Sequence, residues 1–251
     1  MAFQASTCWG NPSSVKRALL IHGLTSASES FFRVAALLTA QGYYVVAPDL
    51  PCHGLSPSPP TSSVAAFAIA LLPLVTPPQT PWTVIVGHSL GALVALQLLP
   101  NIESLPRLVL VDPPLEMSPS ETRGVLEGTL ADFSKPKSAA EFLESNPRWS
   151  QKDAVIKVYG EAACDRDGVA AIIRDNVPWS FTHLIPPASY PTEIIILGAH
   201  KDPAFTAGEA TTLTKTRPDV VVSVIPNTSH SIHREDPEAV AKWILEGKLA
   251  G

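Results

Sequence analysis

Short runs of aliphatic and β-branched residues recur along this chain, and stretches with helical spacing lie between them. This alternation limits the possible folds more than any other feature. RALLIHG (17–23), YYVVAPDL (43–50), WTVIVGHS (82–89), RLVLVDPP (107–114), TEIIILGA (192–199) and DVVVSVIPN (219–227) read as strands. Their apolar character is nearly continuous rather than alternating. Such strands are covered on both faces, which implies a mostly parallel central sheet sandwiched by helices, an α/β fold. FFRVAALLTAQG (31–42) reads as a helix, with Phe31, Val34, Ala35 and Leu38 on one face and Gly42 as its stop. SSVAAFAIALLPLV (62–75), LGALVALQLLP (90–100) and AGEATTLTKT (207–216) read as further helices. The helix over 236–248 has Asp236 as N-cap, Pro237 at its first position, and Val240, Trp243 and Ile244 on its buried face.

The 251 residues suit one α/β domain spanning 1–251. Residues 115–190 break the rhythm. They carry helical patches (ETRGVLEGTLADF, AAEFLES, DAVIKVYGEAA, GVAAIIRDNV) and no clear strand. One inter-strand connection does not need so much helix, so the segment reads as a helical cap inserted over the carboxyl edge of the sheet.

Composition narrows the function classes. The formal charge is −5 and no Lys/Arg run stands out, so nucleic acid is not an expected partner. Cys8, Cys52 and Cys164 are odd in number and widely spaced. They form neither a disulfide framework nor a zinc motif, and they suggest a reducing, cytoplasmic setting. MAFQASTCWGNPSS lacks the pattern of a signal peptide. The apolar run VAAFAIALLPLV is interrupted by Pro73 and falls short of the ~18 residues of a membrane span. No metal or cofactor is expected. The expected partner is a small-molecule substrate, and the sequence leaves the oligomeric state open.

GHSLG (87–91) sits where a strand pattern passes directly into a helix pattern. A junction that tight needs small flanking residues, here Gly87 and Gly91. The residue at its apex is forced into a strained conformation that pushes the side chain out of the sheet. Ser89 holds that apex. Its hydroxyl is thereby placed at a helix N-terminus, where free N–H groups and the helix dipole favour developing negative charge. The motif alone is common. VIV before it and LVALQLL after it supply the context that a nucleophile elbow requires.

A serine hydroxyl needs a base to become nucleophilic, and the base needs an orienting carboxylate. In this architecture the chain order is serine, acid, histidine. NTSHSIHRED after the last strand offers His230, nearer the strand, as base, with His233 as the alternative. EIIILGA runs into HKDPAF and offers Asp202 as acid. Asp112, at the end of RLVLVDPP, is the alternative, and its bland role is to cap local backbone N–H groups. The oxyanion hole requires two N–H donors. The backbone of Leu90, just after the nucleophile, supplies one, and Leu24 in LLIHGLTS supplies the other. His22, Asp49 and His53 read as loop-holding residues.

Taken together, LLIHGLTS, VVAPDLPCHGLSPSP, IVGHSLGALVAL, LVLVDPP, ILGAHKDPAF and PNTSHSIHREDPEAV resemble the compact, capped branch of the α/β-hydrolase fold. They run in family order from near residue 17 to near 246. The resemblance implies Ser89, Asp202 and His230 as triad, with Leu24 and Leu90 as backbone oxyanion donors. Three departures stand out. Cys52 replaces the first glycine of D-x-P-G-H-G-x-S, Ala92 stands where a glycine usually follows Gly91, and the acid loop is one residue longer than the common form. A serine nucleophile argues against the dehalogenase and epoxide hydrolase branches, which use aspartate.

The implied chemistry is cofactor-independent hydrolysis of a small ester, thioester or lactone through an acyl-enzyme. The same triad also serves carbon–carbon bond hydrolysis or a lyase. A reading from another class is a small-ligand receptor or non-catalytic binding protein that keeps the triad. Phe133, Phe142, Trp149, Tyr159, Trp179 and Phe181 are candidates for an apolar pocket wall, the alternative for each being to pack the cap onto the core. His183 is a candidate for a polar substrate contact or a structural role. Trp149, Tyr159, Trp179 and His183 are the pocket residues expected.

Overall fold

A computed structural model describes residues 4–76 and 81–250. Seven strands form one sheet: β1 (Ser6–Trp9), β2 (Arg17–Ile21), β3 (Tyr44–Pro48), β4 (Val84–His88), β5 (Arg107–Val111), β6 (Glu193–Ala199) and β7 (Val221–Ile225). Their order is β1-β3-β2-β4-β5-β6-β7. Every neighbouring pair is parallel except β1 with β3. The six sequence-read strands correspond to β2–β7, each trimmed by a few residues at its ends. β1 is an addition. Its four residues alternate between exposed and half-buried on the sheet edge, a pattern too short and too polar to read as a strand from sequence.

Both faces of the sheet are covered, and the two-residue period of the strands assigns their side chains to one face or the other. Leu19, Ile21, Ile85, Leu108, Leu110 and Ile196 point to one side. There they pack under α2 (Val64–Val75) and α3 (Leu90–Leu98), which contribute Phe67, Leu71 and Leu93. Ala18, Leu20, Val84, Val86, Val109 and Ile195 point to the other. They meet α1 (Phe32–Ala40) and, near the C-terminus, the helix Pro237–Glu246, through Val34, Leu38, Val240 and Ile244. The continuous apolar runs of the sequence therefore express burial from both sides. Pro73 lies inside α2. The helix ends two residues later, so the proline interrupts only its last turn.

Between β5 and β6 the chain forms α4 (Pro119–Ser134), α5 (Ala139–Ser145), α6 (Gln151–Ala162) and α7 (Arg166–Arg174), together with an isolated bridge between Glu116 and Ser180. Ser118, Ser138 and Ser150 close capping boxes with Glu121, Glu141 and Asp153 at the starts of α4, α5 and α6. Each box satisfies two helix-end donors that would otherwise lack partners. After β6 come α8 (Ala207–Thr216) and, beyond β7, α9 (Ile232–Glu235) and α10 (Pro237–Glu246). Among the described residues no helix is long and apolar enough to cross a membrane.

The strand order sets where a ligand can bind. From β2 the chain moves to β3 on one side, while β4 lies on the other side and leads to β5, β6 and β7. Loops leaving the carboxyl ends of β2 and β4 therefore diverge, and a crevice opens between them.

Candidate active site

Ser89 stands at that crevice. It is the N-cap of α3, with φ 52° and ψ −122°, a left-handed backbone that residues other than glycine adopt only at a cost. Its N–H donates to the Val111 carbonyl at 2.9 Å. The flanking glycines are required by close approach. A Cβ on Gly87 would collide with the backbone of Gly91 and Ala92, and one on Gly91 would collide with the carbonyls of Ile21 and His22. The sharp turn from β4 into α3 exists because both positions lack a side chain.

His230 lies in the loop after β7, with its ring partly open to solvent. Its Nδ1–H donates to Asp112 Oδ2 at 2.7 Å, so the carboxylate on this imidazole is Asp112 and not Asp202. Asp112 is fully buried and follows β5 with φ 46°. Its carboxylate also accepts the N–H groups of Ala199 at 3.1 Å, Ala204 at 2.9 Å and Phe205 at 3.3 Å. Asp112 thus caps backbone, as its bland reading had it, and holds the imidazole as well. The expectation for Asp202 is corrected for the same reason. The loop after β6 folds around the Asp112 carboxylate, which turns Asp202 outward onto an exposed rim. Among the described residues Asp202 makes no hydrogen bond to His230.

Ser89 and His230 face the same cavity of about 380 Å3. No hydrogen bond joins Ser89 Oγ to the ring among the described residues. With Nδ1–H committed to Asp112, His230 Nε2 is left as the acceptor. His233, the alternative base, also lines the cavity but is buried beneath it. Its ring packs on Phe31 at 4.7 Å and His88 at 4.3 Å between centroids. Neither ring nitrogen has a partner, and burial lowers its pKa well below the ordinary value.

Two contacts that sequence reasoning missed hold the His230 loop. His88, the variable residue between Gly87 and Ser89, donates Nε2–H to the carbonyl of His230 at 2.8 Å. Burial holds His88 neutral by lowering its pKa. Ser229 is tied to Glu235 through both its N–H and its hydroxyl, each at 2.6 Å. The only signal for His88 was a histidine beside the nucleophile. Nothing in the sequence pointed to the Ser229–Glu235 clasp.

The loop after β2 carries Leu24, whose N–H makes no hydrogen bond among the described residues. Leu90 is the first residue of α3, so its N–H has no acceptor within the helix. Two neutral imidazoles shape the Leu24 loop. His22 donates Nδ1–H to the Gly23 carbonyl at 2.8 Å and accepts the Leu50 N–H at 2.9 Å. His53 donates Nδ1–H to the Pro51 carbonyl at 2.8 Å and accepts the Thr25 N–H at 3.2 Å. Burial lowers their pKa values to about 4 and about 3, and each ring uses one nitrogen as donor and the other as acceptor. From α6, Lys157 Nζ donates to the Thr25 carbonyl at 3.0 Å and to its hydroxyl at 2.7 Å.

The segment between β5 and β6 supplies Met117, Val125, Trp149, Lys157, Ile173 and Trp179 to the cavity wall. Trp149 and Trp179 stand where the sequence suggested. Tyr159 and His183 do not line the cavity. Tyr159 follows Lys157 by two positions on α6, and residues so spaced face opposite sides of a helix. His183 lies in a short helical turn and stacks on Phe181 at 6.5 Å. Cys52, in place of the usual glycine, adopts φ 67°. The loop therefore keeps the glycine-like backbone, and the thiol is buried beside Ser62.

Residues 18–243 match the model of the alpha/beta hydrolase family, and the chain belongs to that family. The lipase LipV of Mycobacterium tuberculosis is 34% identical over 131 residues, a stretch covering 51% of this chain and 49% of that protein. The chain therefore aligns with about half the length of this relative. An esterase from Exiguobacterium antarcticum superposes with a TM-score of 0.77 at 16% identity, covering 96% of this chain and 93% of that one. An esterase from Thermogutta terrifontis gives 0.73 at 23% identity, covering 96% and 91%. At these identities the two structures show a shared fold.

Proposed function

We propose that the protein is a serine hydrolase acting on a small carboxylic ester, thioester or lactone. Ser89 is the nucleophile, His230 the base, Asp112 the orienting acid, and the N–H groups of Leu24 and Leu90 the oxyanion donors. The observation that carries the reading is the Asp112–His230 hydrogen bond at the mouth of the cavity that Ser89 lines.

In this reading His230 Nε2 takes the Ser89 proton as the hydroxyl attacks the carbonyl carbon. Asp112 fixes the tautomer and stabilises the imidazolium that forms. An oxyanion donor of this kind contributes about 3 kcal/mol to the transition state. His230 then protonates the leaving group, and water repeats the attack on the acyl-enzyme. The absence of a Ser89–His230 hydrogen bond among the described residues is compatible with this, because catalytic hydrogen bonds often tighten only when substrate is bound. Residues 115–190 act as a cap that selects the substrate, through the side chains they place on the cavity wall.

The test is a 4-nitrophenyl ester series of increasing acyl length with wild type and Ser89→Ala. Sustained turnover lost in the variant supports the hydrolase. Release of one equivalent followed by arrest supports a receptor that retains the triad, and absence of any Ser89-dependent release or of fluorophosphonate labelling removes the reading.

A further inference from the structure

The cavity has two chemically different ends. Pro114, Met117, Val125, Ile173 and Trp179 form an apolar end. The other end is built by α6 and the loop before it, by α9 and by the loop after β2, and it carries Trp149, Lys157, His233 and Arg234. Arg234 is 2% exposed. Its Nη1 donates to the main-chain carbonyl of Asp153 at 2.6 Å and its Nη2 to Ser26 Oγ at 3.3 Å. Its guanidinium lies 4.8 Å from the Trp149 ring centroid. Among the described residues no carboxylate oxygen pairs with it. Asp153 Oδ2 is committed to the Ser150 N–H and hydroxyl at 3.0 and 2.6 Å, and reaches Arg33 at 3.8 Å. Arg33 also reaches the exposed Glu238 at 3.9 Å. Lys157 sits alongside, paired with Glu161 at 3.0 Å.

A buried guanidinium whose own hydrogen bonds reach only neutral oxygens is costly, although the Asp153 and Glu161 carboxylates nearby offset part of its charge without touching it. Other polar groups at this end also lack partners. The indole Nε1–H of Trp149 and both ring nitrogens of the neutral His233 are buried without partners. The unpartnered Asp153 Oδ1 belongs to a residue that does not line the cavity. Two cationic side chains, Lys157 and Arg234, line this end of the cavity. Burial lowers the Arg234 pKa only to about 10, so the side chain remains cationic at neutral pH. A planar guanidinium, held here over an indole ring, matches the two oxygens of a carboxylate.

We infer that the Trp149–Lys157–His233–Arg234 end of the cavity is a carboxylate subsite, so that the substrate is an ester or thioester whose acyl part carries a second, anionic group. This rests on the hydrolase reading above and specifies its substrate class.

Two measurements test it separately from that reading. The first is calorimetric binding to Ser89→Ala, which needs no turnover. Monomethyl succinate, glutarate and adipate are compared with methyl 4-methylpentanoate, 5-methylhexanoate and 6-methylheptanoate, in which an isopropyl group replaces the carboxylate. At least one acid ester should bind about tenfold or more tightly than its neutral counterpart, and Arg234→Gln in the Ser89→Ala background should erase that preference. The second is wild-type hydrolysis of the same pairs followed by chromatography, where kcat/KM should favour the acid ester by a similar factor. Should Arg234→Gln fail to fold, Lys157→Met serves, with a smaller loss of preference expected because Glu161 already partners that ammonium. Neutral esters bound as well as or better than all three acid esters overturn the subsite, whatever the turnover. Preferential binding of an acid ester without hydrolysis by the wild type supports the subsite while removing the hydrolase reading.

Discussion

Asp112 Oδ2 and His230 Nδ1 lie 2.7 Å apart although 118 positions separate them in the chain. Asp112 is wholly buried and also gathers three backbone N–H groups from the loop after β6. One carboxylate therefore fixes both the orientation of the His230 ring and the shape of the loop on which Asp202 stands.

Replacing this carboxylate separates the two acids. Asp112→Asn should lower kcat/KM on a neutral 4-nitrophenyl ester by on the order of 10^4-fold, because an amide that donates toward Nδ1 imposes the wrong imidazole tautomer. Asp202→Asn removes one exposed charge and should change the rate by less than about threefold. Circular dichroism on both variants confirms the fold. A reversed order of effects would return the acid's role to Asp202.

The His88 contact to the His230 carbonyl gives a smaller effect. His88→Leu removes one neutral hydrogen bond worth about 1 kcal/mol. It should therefore lower kcat by roughly three- to tenfold with KM little changed, since the contact orients the base and does not meet the ester. Equal kcat in variant and wild type would show that the Ser229–Glu235 clasp suffices to hold the loop.

The pH dependence of stability follows from the buried histidines His22, His53, His88 and His233, whose pKa values burial lowers, and His22 and His53 set its window. Burial depresses their folded pKa values to about 4 and about 3, against about 6.5 in an unfolded chain. Between those limits the unfolded state binds more protons, so stability is fully present above about pH 6.5 and is lost as pH falls through the folded values. Each ring contributes on the order of 3 kcal/mol across that window. Urea midpoints of the wild type should fall steeply from pH 6.5 to 4. His53→Gln should show a lower midpoint at pH 7 and a shallower pH slope, and parallel slopes would contradict the assignment.

Gly91 tests the packing of the elbow independently of catalysis. A methyl group there meets the Ile21 and His22 carbonyls, which are backbone and cannot rotate away. Gly91→Ala should destabilise by about 2–3 kcal/mol. That corresponds to a thermal midpoint lower by roughly 4–12 °C in a chain of this size. An unchanged midpoint would mean that α3 can shift away from β2.

Much of this was legible in the sequence because it depends on local pattern. The strands β2–β7 and helices α1, α3, α8 and α10 follow from runs and periods of a few residues. The GHSLG junction follows from steric demands within five positions. β1 was not legible, since its pairing with β3 comes from a distant edge and its four residues carry almost no apolar signal. The acid was legible only as a pair of candidates. Asp112 and Asp202 each follow a strand, each adopts a positive φ, and nothing local distinguishes them. Lys157 and Arg234 were not singled out, because a lone cation on a helix reads as a solvated face.

The sequence by itself determined the layered α/β architecture, the position of Ser89 at a strand-to-helix turn and the histidine-bearing loop after the last strand, since each is written in short-range spacing. Only the tertiary structure decided that Asp112 meets His230, that Tyr159 and His183 lie away from the cavity, and that Arg234 is buried on its wall. Those outcomes depend on how separate loops converge at one sheet edge, and convergence is set by packing and backbone hydrogen bonds between segments far apart in the chain.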